Sequence, residues 1–102
     1  MKFPRHLGTK GFLGFLILHE LNKKSLYGDK LAEFIGERKG SKLTPGTIYP
    51  ALKYLREKGL IRMKQNGRRK YYLLTKKGKN ELIITYRLFG NIFRGLKGKI
   101  KE

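Results

Sequence analysis

The residues best placed to do chemistry in this sequence are cations. Between Lys53 and Lys79, eleven lysines and arginines stand against a single anion, Glu57, and the whole 102-residue chain carries a formal net charge of +18. Charge gathered in this way attracts a polyanion, and nucleic acid is the first candidate. Just upstream, Thr44-Pro45-Gly46-Thr47 sets short polar side chains at what reads as the start of a helix, where small residues and unpaired amides allow close approach to a phosphate or a base edge. Catalytic chemistry finds no such support. His6 and His19 have no carboxylate or cysteine at ligand spacing, and Gly8, Gly11 and Gly14 do not follow a strand as a phosphate loop requires. An enzyme, a metal site and a cofactor are therefore not expected.

Composition limits the setting. The length suits one compact domain, and 39% hydrophobic residues are enough to fill one core despite the charge. Cysteine is absent, which excludes disulfides and thiolate metal sites and fits a reducing cytoplasm. The apolar stretch from Phe12 to Leu18, preceded by Lys2 and Arg5, imitates a secretory leader. No small-residue cleavage site follows it, and it falls short of the ~20 residues that cross a bilayer. No membrane association is expected.

The elements that must position these residues follow from periodicity and punctuation. From Gly11 to Asn22, Phe12, Leu13, Phe15, Leu16, Ile17, Leu18 and Leu21 surround a helix on nearly every side, so its own core covers part of it and a second subunit is expected to cover the rest. A second helix is predicted from about Leu26 to Arg38, with Ser25 as its cap, Asp29 in its first turn and Tyr27, Leu31, Phe34 and Ile35 as its buried stripe. Lys39 to Lys42 reads as a turn. Thr44 and Pro45 then start a third helix that Gly59 closes, with Ile48, Ala51, Leu52 and Leu55 on its core face. Pro50 breaks the pattern, and a start capped by Thr47 would place it in the first turn instead.

Leu60 to Gln65 and Arg68 to Leu74 read as two strands joined by Asn66-Gly67 in a type I′ turn, which makes a basic ribbon beside the third helix. Adjacent strand residues point opposite ways, so only one of Tyr71 and Tyr72 can be exposed. Thr75 can cap a fourth helix whose Leu82, Tyr86, Phe89, Phe93, Leu96 and Ile100 alternate spacings of four and three, the seam of packed helices. Gly90, Gly95 and Gly98 each cost that helix about 1 kcal/mol relative to alanine, so its last dozen residues need a covering partner. The order helix, helix, turn, helix, hairpin, helix predicts a mainly α fold with a β-hairpin wing, the winged helix-turn-helix. Residues 1–75 would form the binding domain and 76–102 a dimerisation helix packed on it.

The residues also resemble the PadR family of transcriptional regulators. The likeness rests on Leu26-Tyr27-Gly28, on Thr44-Pro45-Gly46-Thr47-Ile48-Tyr49-Pro50-Ala51-Leu52, on Gly59-Leu60-Ile61, and on Gly67-Arg68-Arg69-Lys70-Tyr71-Tyr72 with Leu74-Thr75, and it covers roughly Phe12 to Leu82. It implies a dimeric repressor whose third helix reads double-stranded DNA through Thr47 and Tyr49. The single C-terminal helix looks like the shorter type of the family, in which that helix and the first make the dimer. With no tryptophan in the chain, ligand stacking on an indole cannot be carried over, and a small-molecule effector is left open with no residue to support it.

The expected groove contacts are Thr47, Tyr49 and Lys53, with Thr44, Gly46 and Asn66 beside them; Lys42, Arg68, Arg69 and Lys70 are expected on phosphate. Tyr49 packed under the wing, and Tyr27 in the core with its hydroxyl outward, are the plainer alternatives for those two rings. Phe12, Phe15, Leu82, Tyr86, Phe89, Phe93 and Leu96 are expected to make a homodimer contact. The competing readings are an architectural protein that coats DNA by charge alone, a single-strand or RNA binder stacking bases on Tyr71 or Tyr72, and a protein-interaction module using Phe89 and Phe93.

Overall fold

Leucine and isoleucine at helical spacing build the centre of the molecule: Ile17, Leu18, Leu31, Ile35, Ile48, Leu52, Leu55 and Leu60 are all fully buried. The computed structural model describes residues 11–97. Helix α1 spans Gly11–Lys23, strand β1 Leu26–Tyr27, α2 Gly28–Lys39, α3 Pro45–Glu57, β2 Ile61–Asn66, β3 Arg69–Leu74 and α4 Lys76–Lys97. The three strands form an antiparallel sheet in the order β1-β3-β2. This is a winged helix: three helices around one core, a two-stranded wing, and a long closing helix.

Strand β1 departs from the sequence expectation. Leu26 and Tyr27 do not open α2; they pair with Tyr72 and Tyr71 of β3. Leu26 gains burial and the ladder gains a third strand, and these together outweigh the helix propensity of a short run. Ser25 consequently caps nothing: Tyr27 holds the N-cap position in an extended conformation without a side-chain bond. The far end of α2 follows the expected rule. Gly40 takes a left-handed φ of 90° and its amide bonds to the Gly36 carbonyl. Gly36 must itself be glycine, because a Cβ there would lie 2.3 Å from the Ser41 carbonyl oxygen.

The hairpin is present, but its turn lies one residue further on. Asn66 pairs with Arg69, so Gly67 and Arg68 are the loop residues. Gly67 has φ 64° and no other residue than glycine has a positive φ among the described residues. A positive φ at the first loop position alone is the type II′ arrangement, not the type I′ that Asn66-Gly67 predicts. The shift changes each cross-strand partner by two, so every side chain keeps its face. Tyr72 is accordingly buried and Tyr71 half-exposed.

Thr75 caps α4 as expected: its Oγ1 accepts from the Gly78 amide at 3.0 Å and donates to the Gly59 carbonyl at 2.7 Å. Helix α4 then packs along α1. Phe15 meets Phe89 and Tyr86 edge to face, with ring centroids 4.7 Å and 5.6 Å apart. The first part of the heptad seam is thus used within the protomer, and Leu82, expected in the dimer contact, is 1% exposed and belongs to the chain's own core. The side chains of Phe93 and Leu96, and all of His6, Gly8, Gly98 and Ile100, lie outside the described residues. One acid is buried: Glu20 is 5% exposed and accepts from Arg38 Nε and Nη2 at 3.1 and 2.8 Å. That pair ties the end of α1 to the end of α2.

Candidate nucleic-acid interface

Helix α3 separates its faces cleanly. Ile48, Ala51, Leu52 and Leu55 are buried, while Thr44, Gly46, Thr47, Tyr49, Pro50 and Lys53 are exposed. The helix starts at Pro45, so Pro50 lies in its interior, and the start capped by Thr47 is not the one adopted. Pro50 has no amide to offer the Gly46 carbonyl, and both residues face solvent, where water can take the lost bond. Thr44 does not cap by its side chain; its hydroxyl lies 3.2 Å from that of Thr47, while its carbonyl accepts from the amides of Thr47 and Ile48. Two hydroxyls and a glycine therefore stand together at the exposed N-terminal end of α3.

Tyr49 is 45% exposed, and its ring rests on the first turn of α2, not under the wing. A Cβ at Gly28 would lie 2.8 Å from the Tyr49 hydroxyl and 2.9 Å from its ring. Gly28 is thus required by an aromatic ring on another helix. Lys42 and Lys53 are both exposed. Lys53, Arg56 and Arg62 line a surface groove of about 430 Å³ between α3 and β2, with Glu57 as its single acid. The groove links the basic end of the helix to the wing.

At the ribbon tip the cations divide into two kinds. Arg68 and Lys70 are exposed, and neither has an ion-pair partner among the described residues. Arg69 and Asn66, expected to face DNA, have partners within the protein. Arg69 Nη2 donates to Asp29 Oδ1 at 3.1 Å, and its guanidinium lies 3.7 Å from the centre of the Tyr27 ring. Asn66 Nδ2 donates to the Tyr27 hydroxyl at 3.1 Å. The sequence does not reveal this group, because Asp29 suits a helix start well enough to need no other role, and because Tyr27 reads as part of a helix and not as the strand beside Tyr71.

Burial raises the phenol of Tyr72 in the wing sheet, with Tyr49 adding to it and Arg56 opposing, and two further groups shift between α1 and α4. His19, hydrogen-bonded through Nδ1 to the Tyr86 hydroxyl, is held below the ordinary histidine value by burial first and then by Lys23, with Glu20 opposing. Burial also raises the Tyr86 phenol. Nothing there resembles a nucleophile and base in register. No group of three or more histidines, cysteines or carboxylates among the described residues could hold a metal ion, and no helix among them is long and apolar enough to cross a membrane.

Comparison with known proteins joins these observations. The model of the transcriptional regulator PadR-like family matches residues 17–83, from the middle of α1 into α4. The chain belongs to this family. Its fold is shared with a PadR family transcription regulator from hypervirulent Clostridium difficile R20291, with 34% identity over 89% of this chain and 100% of that one and a TM-score of 0.76. It is also similar to a PadR-like transcription factor from Bacteroides fragilis, with 25% identity, coverage of 89% and 92%, and a TM-score of 0.77. A third likeness is to RosR of H. salinarum, at 26% identity, 78% and 74% coverage and a TM-score of 0.73. None of the curated protein sequences matches the chain. As a PadR-like regulator the protein is a DNA-binding protein of a family without enzymatic activity.

Proposed function

We propose that this PadR-like protein is a cytoplasmic repressor that binds double-stranded DNA as a homodimer and prefers particular sequences. The observation that carries the reading is the exposed N-terminal end of α3, where Thr44, Gly46 and Thr47 stand clear of the core beside a wing tipped by Arg68 and Lys70. A helix of this size fits a major groove, and short side chains at its start let its backbone approach base edges. In this reading Thr47, Tyr49 and Lys53 enter the groove. Lys42, Arg68 and Lys70 hold phosphates on either side, which sets register without reading sequence. Residues at the exposed faces of α1 and α4 join the two copies.

Selection of bound duplexes from a random pool tests the reading. A symmetric motif preferred over random duplex by about 10³ or more is the expected result, and no enriched motif would instead favour charge-driven coating of DNA. The variants divide the roles further. Arg68→Ala with Lys70→Ala weakens binding to every duplex alike, whereas Thr47→Ala narrows the difference between the preferred and random duplex by about 1–3 kcal/mol. Equal effects from the two would mean that α3 reads nothing.

A further inference from the structure

The wing of a DNA-binding protein with this much positive charge faces a difficulty: every added cation strengthens binding to all duplexes equally and so adds affinity without adding preference. The ribbon tip handles one of its three consecutive cations differently from the others. Along β3, Lys70 shares the face of the buried Tyr72, while Arg69 shares the opposite face with Tyr71. On that face Tyr27 of β1 pairs with Tyr71, with ring centroids 6.1 Å apart. The Arg69 guanidinium stacks on Tyr27 at 3.7 Å and donates to both carboxylate oxygens of Asp29, at 3.1 and 3.4 Å. Directly across the ladder, Asn66 donates to the hydroxyl of the same tyrosine. Both strands of the ribbon are therefore fastened at their tips to one ring and one carboxylate on the β1–α2 junction. Asp29 is one of only seven acids in the chain, and its carboxylate accepts from Arg69 Nη2 as a phosphate oxygen could.

We propose that Tyr27 and Asp29 are positioning residues for the wing: they hold Arg69 away from the DNA backbone and fix the angle of the ribbon tip, so that Arg68 and Lys70 alone supply its phosphate contacts. The inference rests on the duplex-binding reading above and refines it. Stacking and the carboxylate act together, since a guanidinium on an aromatic face keeps its edge turned to the planar acceptor. The wing thereby contributes geometry that depends on groove shape, with less of the charge that does not.

The salt dependence of binding to a mixed-sequence duplex of about 30 base pairs separates the roles, because each phosphate contact adds about 0.9 to the slope of log affinity against log salt. In the wild-type protein Arg69→Ala is expected to leave the slope unchanged, while Arg68→Ala lowers it by about 0.9 per protomer. Asp29→Asn releases Arg69, raising the slope by the same amount per protomer, which for the dimer is about a 12-fold greater loss of affinity between 50 and 200 mM salt. Adding Arg69→Ala to Asp29→Asn abolishes that gain. The second measurement is independent of affinity: ring-current displacement of the Arg69 side-chain protons by Tyr27, lost in Tyr27→Leu, is expected to persist when duplex is added. Should Arg69→Ala alone lower the slope as Arg68→Ala does, or should the displacement vanish on binding duplex, Arg69 is a phosphate ligand and the proposal is overturned. Failure of the wild-type protein to bind any duplex at 50 mM salt overturns the duplex-binding reading and this one with it, even where the displacement is seen in the protein alone.

Discussion

Single residues show how far type and spacing carry. Thr75 declares itself in the sequence, since a threonine three positions before a glycine at a helix start has one obvious use, and it makes the cap bond. Gly28 does not, because its reason is the ring of Tyr49 from another helix, and no local pattern encodes that approach. Glu20 was equally opaque: a carboxylate on an apolar helix reads as solvent-facing until Arg38 arrives from α2. The same neighbourhood yields a pH prediction. His19 has its pKa lowered in the fold by burial and by Lys23 and Arg38, against Glu20, so the unfolded chain binds this proton more readily than the folded one. The contribution is present in full above the ordinary value of 6.5 and is lost as pH falls below it through the folded value. Urea unfolding between about pH 8 and about pH 5 should show stability falling on the acid side of that value, and His19→Asn should flatten the fall. A wild-type profile level across this range would mean that the imidazole is as easily protonated folded as unfolded.

At the scale of elements, the sequence was most legible where punctuation is strong and least where pairing is distant. The wing, α3 and α4 are each announced by a turn or a cap. Strand β1 is two residues long, and its existence depends on Tyr71 and Tyr72 more than forty positions away, so nothing local distinguishes it from a helix start. The junction between β2 and α4 shows how an element boundary is fixed. Leu60 donates to the Leu55 carbonyl and accepts from the Thr75 amide, and α4 begins so close to it that a Cβ on Gly78 would lie 2.0 Å from the Leu60 carbonyl oxygen. Backbone cannot yield there as a flexible side chain could. Gly78→Ala is therefore expected to cost about 3 kcal/mol or more, through displacement of α4 from the sheet. Thr75→Ala removes only the cap and should cost about 1–2 kcal/mol, most of it restored by Thr75→Ser. Chemical denaturation of the three variants gives the order directly, and an alanine at 78 milder than one at 75 would show that the helix start is free to move.

For the whole molecule, the distribution of exposed apolar side chains bears on assembly. Tyr49 aside, the large hydrophobic residues left exposed among the described residues are Phe12, Ile83, Ile84 and Tyr86, with Phe12 and Ile84 each 50% exposed. All four lie on α1 and α4, away from the basic end of α3. The seam read from the sequence lies on α4, yet its Leu82 is spent inside the protomer, because a heptad pattern states that a helix has a partner and not which one. A dimer through this face would carry two wings and two copies of α3, spaced for successive major grooves on one side of a duplex, about 34–36 Å apart. Joining Phe12→Lys to Ile84→Lys should leave the core intact, since neither residue is buried, while converting a micromolar dimer to monomer in sedimentation. The duplex then serves as the second reading. If two protomers share about 6–10 phosphate contacts, the monomer has half of them, and its salt slope should fall from roughly −5 to −9 to about half that value. A variant that remains dimeric with an unaltered slope would place the subunit contact elsewhere on the surface.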